Sequence, residues 1–136
     1  MTALARVVKE FEGWAPELTA LIAEGETGPV PRSIHALPVE HRWDRVPGVT
    51  LLGDAAHLMS PTGDGANLAM YDGAELGKAI AANPGEVEAA LFAYEKDLFP
   101  RSASAAAEAH RVFKLCFGDN APQSLVDFFT SNQPVK

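Results

Sequence analysis

The chain contains a single cysteine, Cys116, among its 136 residues. One cysteine cannot form an intramolecular disulfide bond, and it excludes metal or redox sites built on paired cysteines. Basic residues are also scarce, since 11 Lys and Arg stand against 18 Asp and Glu and give a net charge of −7 at pH 7. Because an acidic chain without a basic cluster repels a phosphate backbone, the sequence predicts no binding to nucleic acid.

Long apolar runs are missing as well. The longest are too short to span a bilayer, so we expect no membrane partner. The first eight residues lack the apolar core and cleavage site of a secretory signal, and we therefore expect a cytoplasmic protein. Hydrophobic residues make up 47% of the chain and charged residues 21%, a balance typical of a folded domain.

The spacing of apolar residues predicts a mainly helical chain. Two helices are expected before Gly25, and another over Ala66–Ala82, where one face carries mostly small side chains. A further amphipathic helix is expected to break before Pro100 and to resume from Arg101 to Phe117. The break is expected because a proline inside a helix removes a backbone donor.

The centre of the chain predicts two or three strands. Val49–Leu52, which follows the Pro47-Gly48 turn, is predicted as a short buried strand. The expected fold class is therefore α+β, mainly helical, with a small strand set. We expect one structural unit with three segments: N-terminal helices over 1–30, strands with the following loop and helix over 31–82, and C-terminal helices over 83–136.

The most informative stretch runs from Gly53 to Asn67, where an acidic residue and a glycine-containing loop lead into a helix. Gly63 and Gly65 lack a Cβ, so a flat ligand can approach their backbone. The first turn of the helix offers N–H groups and the positive end of a dipole to an anion or a carbonyl oxygen. On spacing alone, a simpler interpretation is favoured, in which Asp64 caps the helix.

The order of residue types in this stretch resembles a known family. Gly53-Asp54-Ala55-Ala56-His57, then Pro61, Gly63-x-Gly65-x-Asn67 and Asp72, is similar to the second FAD-binding motif of class A flavoprotein monooxygenases, the aromatic hydroxylases and tetracycline-inactivating oxygenases. The resemblance covers roughly residues 30–115. It implies the C-terminal part of an FAD/NAD(P)-binding, aromatic-hydroxylase-like fold, because the GxGxxG motif of the family's N-terminal half does not occur in this chain.

The resemblance implies six cofactor-binding residues: Asp54, Pro61, Gly63, Gly65, Ala66 and Asn67. The aspartate would hydrogen-bond the ribityl chain of FAD, and the proline and glycine backbone would lie along the isoalloxazine edge. The last two residues would face the pyrimidine end of the ring, where the helix N-terminus stabilises negative charge on the reduced flavin. The resemblance assigns no catalytic residue within this chain.

Members of this family use NAD(P)H and O₂ to hydroxylate a small organic substrate. The resemblance thus implies an FAD-dependent monooxygenase with an aromatic or polyketide-like substrate. Because nothing in this chain matches the part that grips the ADP moiety, we expect weak or no FAD binding and no turnover by the chain alone.

The alternative is a non-catalytic helical module. The expected partner is a second copy, forming a homodimer, or a complementing N-terminal chain.

The four histidines raise the alternative of a metal or hydrolase site. They are scattered, and none belongs to an HxH or HxxxH arrangement, so we predict no metal site. A relay of Ser60, His57 and Asp54 is disfavoured because side chains so close in sequence rarely align for it. Within the resemblance, His57 is a structural residue beside the flavin loop.

Overall fold

A computed structural model describes residues 2–131, and within this range the chain forms six helices and no β-strand. Its contacts divide it into two compact units, Met1–Ser33 and Ile34–Lys136. The expected division into segments 1–30, 31–82 and 83–136 stays a prediction, and residues 132–136 of the last segment lie outside the described residues. In the range that is described, no helix has the length and apolar character needed to cross a membrane.

The first unit is a pair of short helices, α1 (Ala3–Glu10) and α2 (Pro16–Ala23). The Oγ1 of Thr2 accepts a hydrogen bond from a first-turn N–H of α1 at 3.2 Å. The first residue of α2 is a proline, which fits this position because the first N–H of a helix has no intrahelical partner. The rings of Phe11 and Trp14 meet edge-on with centroids 5.2 Å apart between the helices.

The second unit contains four helices: α3 (Asp54–His57), α4 (Gly65–Ala82), α5 (Val87–Phe117) and α6 (Gln123–Ser131). All of α3, α4 and α6 pack against α5. The core is centred on Tyr94 and Leu98 of α5 and Ala56 of α3, which are all buried. The long helix α5 is therefore the element on which the rest of the unit assembles.

Helix α5 is continuous over 31 residues, so the predicted break before Pro100 is wrong. A proline in a helix interior costs about 3 kcal/mol, because it removes a hydrogen bond and crowds the preceding turn. Here Pro100 is exposed, while Leu98 and Ser102 on either side of it are buried. Packing of both halves of α5 against the same neighbours outweighs the local preference for a break.

The predicted strand Val49–Leu52 is also wrong, and with it the small strand set. Among the described residues, β-type pairing is limited to one isolated bridge between Val46 and Val49. Helix α5 holds the segment in place of a neighbouring strand, since the hydroxyl of Tyr94 donates to the carbonyl of Leu51 at 3.3 Å. Burial raises the pKa of Tyr94, so this hydroxyl stays protonated and able to donate.

The carboxylate of Glu95 anchors the segment 43–50 to α5 from inside the core. It is buried, and it accepts hydrogen bonds from Trp43 Nε1 at 3.2 Å and from Thr50 Oγ1 at 2.8 Å. Its second oxygen lies 3.2 Å from the guanidinium of Arg45. A buried charge is tolerated only where partners of this kind replace its hydration. The segment before α3 is therefore fixed by side chains rather than by a sheet.

Glu88 holds the turn of the same segment at the start of α5. Its carboxylate accepts from the backbone N–H of Gly48 at 2.6 Å and forms an ion pair with Arg45. The hydrogen bond from Gly48, followed by that from Arg45, lowers the pKa of Glu88 from its ordinary value of 4.5. A carboxyl whose pKa is lower in the folded state stabilises the fold at neutral pH and loses that contribution as the pH falls through its folded-state pKa.

We expect Glu88→Gln to lower the urea midpoint of unfolding at pH 7, because it removes the charge that Arg45 pairs with. The difference from the parent should shrink as the pH falls through the folded-state pKa of Glu88, which lies below the ordinary value of 4.5, because Glu88 itself is then protonated. Denaturation curves between pH 3 and pH 7 measure this. Asp97→Asn is the control, since this exposed α5 side chain has no hydrogen-bond partner among the described residues. A Glu88→Gln difference of unchanged size at pH 3 would contradict the expectation.

Candidate functional site

A fully buried carboxylate, that of Asp72 on α4, joins three parts of the second unit. Its Oδ2 accepts hydrogen bonds from His57 Nε2 at 2.5 Å and from the backbone N–H of Gly53 at 3.1 Å. Its Oδ1 accepts from Arg101 Nη2 at 3.0 Å. We call Asp72, His57 and Arg101 the aspartate cluster. Because the donors come from α3, the residue before it and α5, the cluster fixes α3 between the two long helices.

Gly53 lets α3 begin in direct contact with α4. Its φ of 59° lies in the region that favours glycine. A Cβ built at this position would lie only 3.2 Å from the Cβ of Ala69. The small-residue face of α4 that the sequence predicts is thus the surface against which α3 starts.

Asp54 is the first residue of α3 and follows directly on this contact. Its side chain is exposed and has no hydrogen-bond or ion-pair partner among the described residues. Because an ionised carboxylate only accepts hydrogen bonds, this oxygen pair is available to a ligand that carries hydroxyl groups. The structure therefore places Asp54 beside the first half of α4 with its carboxylate unused.

The glycine loop ahead of α4 is open. No atom lies within 4 Å of the position that a Cβ would take at Gly63 or at Gly65. Asp64 occupies the N-cap position of α4, as predicted, but its side chain makes no capping hydrogen bond. In residues 2–131, the backbone N–H groups of Gly65, Ala66 and Asn67 have no backbone acceptor, and the first bonded one in α4 belongs to the next residue.

All six residues assigned to FAD by resemblance have solvent-accessible positions in the second unit: Asp54, Pro61, Gly63, Gly65, Ala66 and Asn67. Their role in binding stays a prediction. No group of three or more His, Cys, Asp or Glu side chains in the described range is arranged to hold a metal ion.

Reasoning from the sequence missed the aspartate cluster. It placed His57 beside the loop without finding its partner, and it gave Arg101 no role. A usable signal was present, because Asp72 adjoins the small-residue face of α4 at Ala69 and Gly73. An acidic residue next to a closely packed helix face needs a partner on the neighbouring element.

Loss of the Asp72 charge should destabilise the second unit. We expect Asp72→Asn to lower its free energy of unfolding by about 3–5 kcal/mol, because the change leaves Arg101 and His57 facing an uncharged, partly donating group inside the core. Urea denaturation followed by circular dichroism measures this.

Asp64→Asn is the matched control, because its exposed side chain makes no capping bond. Its midpoint should stay close to that of the parent. If Asp72→Asn were as stable as the control, the aspartate cluster would not hold the helices together.

Comparison with known proteins identifies the family of this chain. A family profile described as an FAD binding domain matches residues 34–109, which include α3, α4 and the aspartate cluster. The chain is 45% identical over 76 residues to the dual O-methyltransferase/FAD-dependent monooxygenase elcB of Phaeosphaeria nodorum, a stretch that covers 52% of this chain and 8% of the relative. The chain thus spans a small part of that relative's length. It belongs to the FAD binding domain family and carries a domain of the FAD-dependent monooxygenase type.

Proposed function

We propose that the second unit is the flavin-ring-binding segment of an FAD-dependent monooxygenase that hydroxylates a small organic substrate with NAD(P)H and O₂. The observation that carries the proposal is the Asp54 carboxylate, which has no hydrogen-bond partner among the described residues. The bonds from Gly53 and His57 to Asp72 fix its helix α3 beside α4, whose first three N–H groups also lack a backbone acceptor in that range. An acceptor and a set of donors thus flank one open loop.

The residues present fit the flavin end of FAD. Asp54 can accept from a ribityl hydroxyl, and the uncrowded backbone at Gly63 and Gly65 leaves room for a flat ring. The N–H groups and dipole at the start of α4 favour carbonyl oxygens and negative charge at the pyrimidine end. When bound, FAD supplies the redox chemistry, and these residues hold and orient it.

The ADP end of FAD has no counterpart in this chain. The glycine fingerprint that cradles a pyrophosphate is absent from the sequence, and the monooxygenase relative is far longer than the matched stretch. We therefore expect the flavin ring and the ribityl chain to provide all of the affinity that this chain has for FAD. Turnover would require a complementing chain or segment that binds the ADP moiety and NAD(P)H.

Riboflavin, FMN and FAD should consequently bind with dissociation constants within about threefold of one another, since they share the ring and ribityl chain that these residues contact. Titration calorimetry with each flavin measures this. Much tighter binding of FAD would show that the chain grips the ADP moiety, and no binding of any of the three would contradict the proposal.

Asp54→Ala should weaken riboflavin binding by about tenfold or more, because hydrogen bonds to a charged group contribute roughly 1.5–3 kcal/mol. Asp97→Ala is the control, since it removes an exposed carboxylate from α5 without touching the loop. If the two variants bound riboflavin equally well, Asp54 would not be a flavin ligand.

A second candidate function is a non-catalytic module that forms a homodimer. Large apolar side chains on α4 and α5 remain exposed, among them Met70, Ile80, Phe92 and Phe117. Apolar surface of this kind favours association with a partner that covers it. This candidate needs no flavin, whereas the first one does.

Sedimentation velocity separates the two candidates when flavin binding is measured on the same sample. A homodimeric module should have a sedimentation-derived mass of twice the 14.5 kDa of one chain. It should carry no flavin, and its sedimentation coefficient should not change when riboflavin is added. A stable monomer at micromolar concentration would contradict the homodimer.

A further inference from the structure

A small cavity of about 10 Å³ lies between α3, α5 and the segment of residues 37–41. Ala56 and His57 line it from α3, and Ser102 and Ala106 line it from α5. None of the six residues assigned to flavin belongs to its wall. The volume is close to the least that one water molecule needs, and it is far below that of a pocket for an organic ligand.

The hydroxyl of Ser102 is a buried polar group without a partner. Ser102 is 5% exposed, and its Oγ has no hydrogen-bond partner among the described residues. A serine inside a helix commonly donates to the carbonyl four residues earlier, which here belongs to Leu98, but this bond is not made. Because a buried hydroxyl without a hydrogen bond is costly, the group needs a partner from outside the protein.

The ring of His57 brings a second unpaired group to the same cavity. The carboxylate of Asp72 takes Nε2 at 2.5 Å. An ionised carboxylate only accepts hydrogen bonds, so the proton of a neutral ring lies on Nε2 and leaves Nδ1 as an acceptor. Nδ1 has no hydrogen-bond partner in residues 2–131. A donor in the cavity would therefore find an acceptor on α3.

Water meets both requirements at once. It can accept a hydrogen bond from the Ser102 hydroxyl and donate one to His57 Nδ1, and a second proton is left for a carbonyl oxygen. Two residues of the cavity wall, Leu37 and Val39, have carbonyls that accept no backbone hydrogen bond within the described range. Buried waters typically make about three hydrogen bonds of this kind.

We propose that one water molecule is bound in this cavity and bridges Ser102 Oγ to His57 Nδ1. The water connects α5 to α3 by a second route, beside the one that runs from Arg101 through Asp72 to His57. Ser102 is then a positioning residue, because it acts through the water to hold the His57 ring with Nε2 toward Asp72. This inference does not depend on flavin binding, since no group that it invokes is assigned to the cofactor.

A crystal structure of the full chain, at a resolution that shows ordered water, is the direct test. We expect density for one water within about 2.5–3.2 Å of both Ser102 Oγ and His57 Nδ1. A cavity without such density, with Ser102 Oγ bonded to the carbonyl of Leu98 instead, would overturn the proposal.

Two neighbouring alanines give a matched pair for a test in solution. Ala106→Val fills the cavity from α5, and Ala107→Val makes the same change on the exposed side of the helix. In the ¹⁵N-labelled full chain at about pH 8, Ala106→Val should shift the Nδ1 resonance of His57 downfield, because expelling the water removes a hydrogen bond that Nδ1 accepts. The Nε2 resonance should stay in place, since Asp72 remains its partner.

Ala107→Val should move neither resonance. An Nδ1 resonance that is the same in Ala106→Val and in the parent would overturn the proposal.

Ser102→Ala removes only one oxygen atom, so it keeps the proposal testable if Ala106→Val fails to fold. Ser104→Ala is its control, because this serine lies on the exposed side of α5. Relaxation dispersion of ¹⁷O counts the waters that stay bound for long times. We expect one fewer long-lived water in Ser102→Ala than in the parent, and the parental number in Ser104→Ala. Equal numbers in the two variants would contradict a water held by Ser102.

Discussion

The second unit depends on one buried charge, the carboxylate of Asp72. Removing a carboxylate from water is costly unless donors replace its hydration, and here the donors belong to three separate stretches of chain. Helix α3 has only four residues, far too few to be stable by itself. Its position, and with it the position of Asp54, therefore comes from the bonds that Gly53 and His57 make to this carboxylate.

Helix α5 supplies most of the side chains that hold the other parts of the second unit in place. Glu88, Tyr94 and Glu95 of α5 hold the extended segment before α3, and Arg101 holds Asp72. These are specific polar contacts set around a small apolar core. This explains why the segment before α3 has a defined conformation without a β-ladder: the side chains that bind it all belong to the continuous helix α5.

The sequence predicted the elements whose signals are local. The helical spacing of apolar residues, together with residues typical of helix ends, located the helices. The glycines on either side of Asp64 indicated an open loop. The prediction of a strand at Val49–Leu52 failed because an apolar run does not reveal whether a partner strand exists. The break at Pro100 failed because burial on both sides of the proline is a tertiary effect. The hydrogen bonds of the aspartate cluster join residues up to 29 positions apart; the small-residue face beside Asp72 indicates that this carboxylate needs a partner, but no local pattern identifies the partner.

Burial along α5 is unequal. The buried residues lie between Ala90 and Ala109, whereas in the described range none of the eight residues from His110 to Phe117 is buried. The match to the FAD binding domain ends at the same place, residue 109. A helix of 31 residues is about 46 Å long, and its final two turns are only half-buried, under α6, whose Ser124 hydroxyl donates to the carbonyl of Leu115 at 2.8 Å. This end of α5 therefore depends on α6 for its cover, whereas the stretch from Ala90 to Ala109 is covered by the other helices of the second unit.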